Sequence, residues 1–191
     1  MSNVKILNTE ILSNNWYTLK KVTYEILQNG AVSVQNREAY DRGNGATILL
    51  YNKEKQSVIL TRQFRMPTFI NGNASGYLIE ACAGLLDTDN PEDCIRRETE
   101  EETGFKITHV EKIFEAYMSP GSVTEILYFF VAEYTKEMKV TEGGGLEEES
   151  ENIEVLELPF SEALAMIKTG EIMDAKTIML LQYVALNNLL V

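Results

Sequence analysis

Apolar and polar residues alternate with a period of two along three runs at the start of the chain, Val4–Leu12, Trp16–Leu27 and Ala31–Tyr40. Ser13-Asn14-Asn15 and Gln28-Asn29-Gly30 separate them, and Asn-Gly is favoured in tight hairpins because its backbone reaches positive φ at little cost. The pattern predicts an antiparallel β-meander. After Gly43-Asn44-Gly45 the predicted strands turn more apolar, Ala46–Tyr51, Ser57–Arg62 and Tyr77–Ala83, with a hairpin over Asn52–Gln56 joining the first two. Further strands are expected near Lys106–Ala116, Glu125–Tyr134 and Ile153–Leu158.

Helix signals are sharpest at Asn90-Pro91-Glu92-Asp93, which combines an N-cap, a proline at the first helical position and acids in the first turn. Thr103-Gly104 supplies the stop, so a helix is predicted over Pro91–Thr103. Two more helices, Ser161–Thr169 and Ala175–Leu190, are expected near the end, the second apolar enough for a core or an interface. The order is mixed α/β, with too few βαβ units for a doubly wound sheet. A chain of 191 residues fits one domain with a small appendage. The change of pattern divides it into a meander over 1–42 and a main domain over 43–191. Residues 1–41 bury little by themselves, and their apolar faces call for a partner sheet, which predicts a homodimer.

Seventeen Lys+Arg against twenty-nine Asp+Glu leave a net charge of −12. Such a surface repels a phosphate backbone or an anionic membrane, so neither nucleic acid nor a membrane is an expected partner. No stretch approaches the ~20 apolar residues of a membrane span, and the N-terminus lacks the charged and apolar regions of an export signal. Cys82 and Cys94 form no CxxC pair and no disulfide framework, which suits a reducing cytoplasm. His109, the only histidine, reads as a surface residue at a strand edge.

The helix over Pro91–Thr103 carries six acids and two arginines, with Cys94 and Ile95 as its clear apolar anchors. Glu98 and Glu102 fall i, i+4 on one face with Glu101 beside them, where like charges oppose one another. The plain reading is a solvated face eased by Arg97. The sharper one places a hard divalent cation between the carboxylates. Mg²⁺ suits that best, since it takes one or two carboxylates, waters and substrate phosphate oxygens.

The run Ala83-Gly84-Leu85-Leu86, a short turn, then Arg97-Glu98-Thr99-Glu100-Glu101-Glu102-Thr103-Gly104-Phe105 resembles the Nudix box, whose later half reads R-E-hydrophobic-x-E-E-x-G-hydrophobic. Asn90 stands where the first Glu of the box usually falls, and the stretch from Gly84 to Arg97 is one residue shorter than the common form. Arg37-Glu38, Tyr40–Gly45, Arg62–Arg65, Asn71–Asn73, Met118–Gly121, Glu142–Gly145 and Asp174–Thr177 extend the likeness to the GDP-mannose pyrophosphatase branch of the Nudix hydrolases, kin to ADP-ribose pyrophosphatases.

The resemblance implies an α/β/α sandwich with an N-terminal antiparallel meander, a dimer with exchanged N-terminal strands, and Mg²⁺-dependent hydrolysis of a nucleoside diphosphate sugar, with Mn²⁺ as a substitute. GDP-mannose, cleaved to GMP and mannose 1-phosphate, is the expected substrate. An ADP-sugar or ADP-ribose pyrophosphatase, or a Nudix-fold sensor that binds without turnover, are the alternatives. Carried over by motif, the metal ligands are Ala83 through its carbonyl, Glu98, Glu102 and Glu151. Catalysis is assigned to Glu98, Glu102 and Glu151, with Glu125 and Glu149 the other candidate bases. Arg37, Arg65 and Lys176 are candidate cations for a diphosphate, and Trp16 or Tyr17 for stacking on the base. Glu38, Gly84, Leu85, Glu98, Glu125 and Ser150 complete the implied substrate contacts. The segment Glu142–Asn152, with three consecutive glycines and five acids, is expected to be a lid hinged at the glycines that brings Glu151 to the metal.

Overall fold

A computed structural model describes residues 3–146 and 151–190. Its contacts divide it into two compact units, one holding the residues up to Asn44 together with Tyr117–Ile126, the other Gly45–Ala116 and Leu127–Val191.

In the first unit, β1 (Val4–Asn14), β2 (Thr18–Gln28) and β3 (Ala31–Asp41) form an antiparallel three-stranded sheet in the order β1-β2-β3. The β2–β3 register runs unbroken from Thr18↔Asp41 to Gln28↔Ala31. Asn29 and Gly30 both take positive φ between them, the backbone that a two-residue hairpin demands. β1 carries register shifts between Ile6 and Asn8 and between Ile11 and Ser13. Every residue of β1 but Ser13 is exposed, the apolar Ile6, Leu7, Ile11 and Leu12 included.

The second unit is built on β4 (Gly45–Asn52), β5 (Ser57–Phe64), β6 (Tyr77–Glu80), β7 (Cys82–Leu85), β8 (Glu111–Tyr117), β9 (Ile126–Glu133) and β10 (Glu154–Pro159), in the order β10-β5-β4-β9-β8, with β6 on β5 and β7 on β4. Its helices are α1 (Met66–Ile70), α2 (Pro91–Thr103), α3 (Phe160–Thr169) and α4 (Ala175–Leu186). Every residue of β4 is buried, so both faces of the strand are covered. Ala46, Ile48 and Leu50 join Cys94 and Ile95 of α2 in one core. Thr47 and Leu49 point to the other face, and α4 also packs on β4. Helices thus cover the sheet on two sides, as a mixed α/β/α sandwich requires.

Several boundaries differ from the sequence reading. The run expected as one strand, Tyr77–Ala83, is two. β6 pairs with β5 and β7 with β4, and the break falls at Ala81, whose N–H donates to Thr177 Oγ1 (2.7 Å) rather than to a neighbouring strand. The strand expected from Lys106 begins at Glu111, and the terminal helix ends at Leu186 rather than Leu190. The short α1 went unpredicted because Pro67 reads as a break, whereas it occupies the first turn of a helix, where no N–H is needed. Among the described residues no helix is long and apolar enough to cross a membrane.

Candidate active site on the acidic helix

The sequence signals place α2 as read. Asn90 caps it by accepting from the N–H groups of Glu92 and Asp93, and Gly104 closes it at φ 78°. Its buried stripe is Cys94, Ile95, Thr99, Glu102 and Thr103. Thr99 and Thr103 donate their hydroxyls to the carbonyls of Ile95 and Thr99, which lets a helix poor in apolar residues bury a polar face.

Glu102 is the unexpected member of that stripe, only 2% exposed. Its Oε2 accepts from the Ala83 N–H (3.3 Å), and the Cys82 thiol also bonds to it. Burial, with the charges of Glu98 and Glu151 added, outweighs these two bonds and pushes its carboxyl up to about 8. Glu98, one turn earlier, packs against Gly84 so closely that any β-carbon there would overlap its carboxyl group. Its Oε1 pairs with Arg97 (2.9 Å), which also reaches Glu101 (3.1 Å) and Asp89 (3.4 Å). The carbonyl of Leu85, the next residue of β7, accepts from the Cys94 thiol (3.1 Å).

Gly143–Gly145 are not a loose hinge. All three hold positive φ. The Gly144 and Gly145 amides donate to the carbonyls of Glu102 and Glu101 at the end of α2 (2.9 and 3.2 Å). A β-carbon on Gly143 would overlap the backbone of Glu102 and Thr103. The glycines therefore serve a left-handed backbone in close approach to a helix end. Glu151 packs on Gly145 and accepts from the Leu146 N–H (3.1 Å), so the strap ties Glu151 to the helix that carries Glu98 and Glu102. Ser150 and the acids Glu147–Glu149 lie outside the described residues.

A second charged cluster was not legible. Glu80, the last residue of β6, accepts from Arg65 Nε (3.0 Å) and Nη2 (2.8 Å) and from Lys176 Nζ (2.9 Å). Asp174, the N-cap of α4, pairs with Lys176 (3.1 Å) as well. Burial raises the Glu80 carboxyl, yet Lys176 and Arg65 outweigh it and hold it down at about 2. Arg65 and Lys176, expected as diphosphate cations, are thus engaged by a buried acid. The only sequence hint is an isolated glutamate at the end of an apolar strand.

In the first unit, Trp16 is 85% exposed and meets Tyr17 edge to face, while Tyr17 touches Tyr40 and lies under the Arg42 guanidinium, 5.6 Å from its ring centre. Arg42 also pairs with Glu125 (3.5 Å). Arg37 and Glu38 are exposed on β3, Arg37 bonding Asn36 and Gln35.

Among the described residues no group of three or more His, Cys, Asp or Glu side chains is already gathered around a metal position. The chemistry of the set nevertheless fits a hard divalent cation: oxygen donors only, with a buried carboxyl destabilised by two neighbouring negative charges. An added cation would relieve that repulsion.

Residues 41–181 match the family model described as the NUDIX domain, and residues 3–40 that of the GDP-mannose pyrophosphatase NudK N-terminal domain. The chain belongs to the Nudix family. It is a Nudix hydrolase by this membership, and Nudix hydrolases generally use divalent metal ions. It is 57% identical over 188 residues to a GDP-mannose pyrophosphatase of Enterobacter sp. (strain 638), covering 98% of this chain and 97% of that one. It is 59% identical over 190 residues to that of Yersinia enterocolitica, covering 98% of each. The Yersinia pestis (strain Pestoides F) enzyme of that name is 61% identical over 183 residues, covering 94% of this chain and 91% of its own. A crystal structure of an ADP compounds hydrolase superposes with TM-score 0.71 at 21% identity, covering 97% of this chain and 94% of that one, which bears on the Nudix fold alone.

Proposed function

We propose that this Nudix hydrolase cleaves the diphosphate of GDP-mannose to give GMP and mannose 1-phosphate, acting in the cytoplasm with Mg²⁺, for which Mn²⁺ can substitute. The observation that carries the reading is the buried Glu102 beside Glu98 on α2, with Glu151 strapped to the same helix end. The full-length likeness to GDP-mannose pyrophosphatases supports the choice of substrate. Glu98, Glu102, Glu151 and the Ala83 carbonyl would hold the metal, which when bound neutralises the diphosphate and polarises its P–O bonds.

The chain's own groups do the rest. Arg65 and Lys176 bind diphosphate oxygens, and Arg37, Glu38 and Tyr17 or Trp16 engage the nucleoside end. Water attacks phosphorus, the bridging P–O bond breaks, and Glu151 takes the water's proton, with Glu125 and Glu149 the other candidates. Ala83-Gly84-Leu85 lines the site, Gly84 keeping room for Glu98. We assign 43–191 to catalysis and 1–42 to a homodimer. Ile6, Ile11, Val32 and Val34 are each at least 60% exposed, more apolar surface than a sheet in water normally leaves bare.

A panel of GDP-, ADP- and UDP-sugars with chromatography of the products tests the substrate. GDP-mannose turned over at the highest kcat/KM, with GMP and mannose 1-phosphate as the two products, is the expected result; preference for an ADP-sugar moves the assignment, and binding without turnover makes the protein a sensor. Light scattering of the full chain and of a chain lacking residues 1–41 tests the dimer, which a fully active monomeric deletion would refute.

A further inference from the structure

Glu80 holds two cations, and one of them sits against the local backbone field. Lys176 sits in the first turn of α4, the helix end at which the backbone dipole disfavours positive charge. A buried ion cluster is commonly no better than apolar side chains of the same volume. The carboxylate is also rigidly set: the Glu80 carbonyl accepts from Thr61 Oγ1 (3.2 Å), and the next amide, Ala81, donates to Thr177 (2.7 Å). Glu80 uses Arg65 through Nε and Nη2, which turns the Nη1 edge of a planar guanidinium outward, and the Arg65 side chain is 40% exposed. Three residues along, the Ala83 amide bonds Glu102, and Arg65 feels the Glu102 charge as well as that of Glu80. Arg65 therefore lies within the field of a second carboxylate.

We propose that Glu80 is a positioning residue that holds Arg65 away from the Glu102 carboxylate, so that Glu102 stays available to a divalent cation while Arg65 and Lys176 present N–H groups to the substrate diphosphate. The inference rests on the reading of Glu98 and Glu102 as metal ligands. Released from Glu80, Arg65 would turn toward Glu102, whose charge it already feels, and compete with the metal as an internal cation.

The test is Mn²⁺ binding to the full chain without substrate, followed by electron paramagnetic resonance. Glu80→Gln is expected to weaken Mn²⁺ affinity about fivefold or more, the scale of one close charge pair. Adding Arg65→Gln should bring it back to within about twofold of the original. Arg65→Gln alone should bind Mn²⁺ at least as well as the unaltered chain. Unchanged affinity in Glu80→Gln, or a loss that Arg65→Gln does not rescue, overturns the proposal. Should Glu80→Gln fail to fold, Glu80→Asp keeps the charge but cannot span both cations, and carries the same expectation with a smaller loss and the same rescue; no loss there overturns it too. Glu98→Gln separates the two levels. If it abolishes Mn²⁺ binding while Glu80→Gln does nothing, only the role of Glu80 falls; if Mn²⁺ binding survives Glu98→Gln, the metal reading falls and takes this inference with it.

Discussion

Glu80 and Glu102 are the same residue type, each 2% exposed, and their acidities are driven in opposite directions. Glu80 is held down at about 2 because Lys176 and Arg65 overcome its burial. Glu102 is pushed up to about 8 because burial is reinforced by Glu98 and Glu151 and only partly offset by the Cys82 thiol and the Ala83 amide. Burial alone therefore does not set the character of an acid; the sign of its neighbours does. In a chain with far fewer bases than acids, placing two cations on one buried acid leaves the other dependent on something from outside. That asymmetry marks Glu102 as a place to bind a cation and Glu80 as part of the frame.

The largest effect that would sharpen this contrast is on turnover. Glu102→Gln should lower kcat on GDP-mannose by about 10² or more at saturating Mg²⁺, since a neutral amide is a poor ligand for a hard cation. Near-normal turnover would break the assignment. Glu151→Gln is expected to cost about tenfold or more in kcat with little change in KM, the mark of an interaction made mainly in the transition state. If Glu151→Gln is active and Glu125→Gln is crippled, the base is Glu125.

On stability the two acids should move oppositely. With metal chelated, Glu80→Gln should lose about 1–3 kcal/mol at pH 7, because two partly buried cations lose their partner. Glu102→Gln should hold its stability or gain, and thermal melts in EDTA measure both. The pH profile carries the same signs. Glu80 contributes stability that is present above its ordinary value of 4.5 and is lost as pH falls toward about 2. Glu102 contributes in the reverse sense: stability is fullest below 4.5 and declines as pH rises toward about 8, where a buried carboxylate must ionise. Urea denaturation from pH 3 to 9 should therefore flatten on the alkaline side in Glu102→Gln and on the acid side in Glu80→Gln; the same limb flattening in both would break the comparison. The smallest expected effect is in the strap: Gly144→Ala, whose β-carbon would meet only the Ile153 carbonyl at an ordinary 3.7 Å but at φ 113°, should cost about 1–2 kcal/mol from backbone strain.

The local code of the acidic helix was fully legible. Asn90-Pro91, the i, i+4 spacing of Glu98 and Glu102, and Thr103-Gly104 are near-neighbour features whose geometry the backbone fixes within a few turns. The meander was legible for the same reason, as period two and Asn-Gly describe a hairpin without reference to anything distant. Pairings across the chain were not. The break of Tyr77–Leu85 into two strands is set by which neighbours β5 and β4 offer and by Thr177, 96 residues away from Ala81. The burial of Glu102, the gathering of Arg65 and Lys176 onto Glu80, and the docking of Gly143–Gly145 on the end of α2 likewise join residues from separate elements. The sequence by itself determined which residues are acids, which segment is a helix and which acids share its face. Only the tertiary structure decided which acid received the cations, because charge partners and desolvation belong to the packed interior, and no spacing along the chain encodes them.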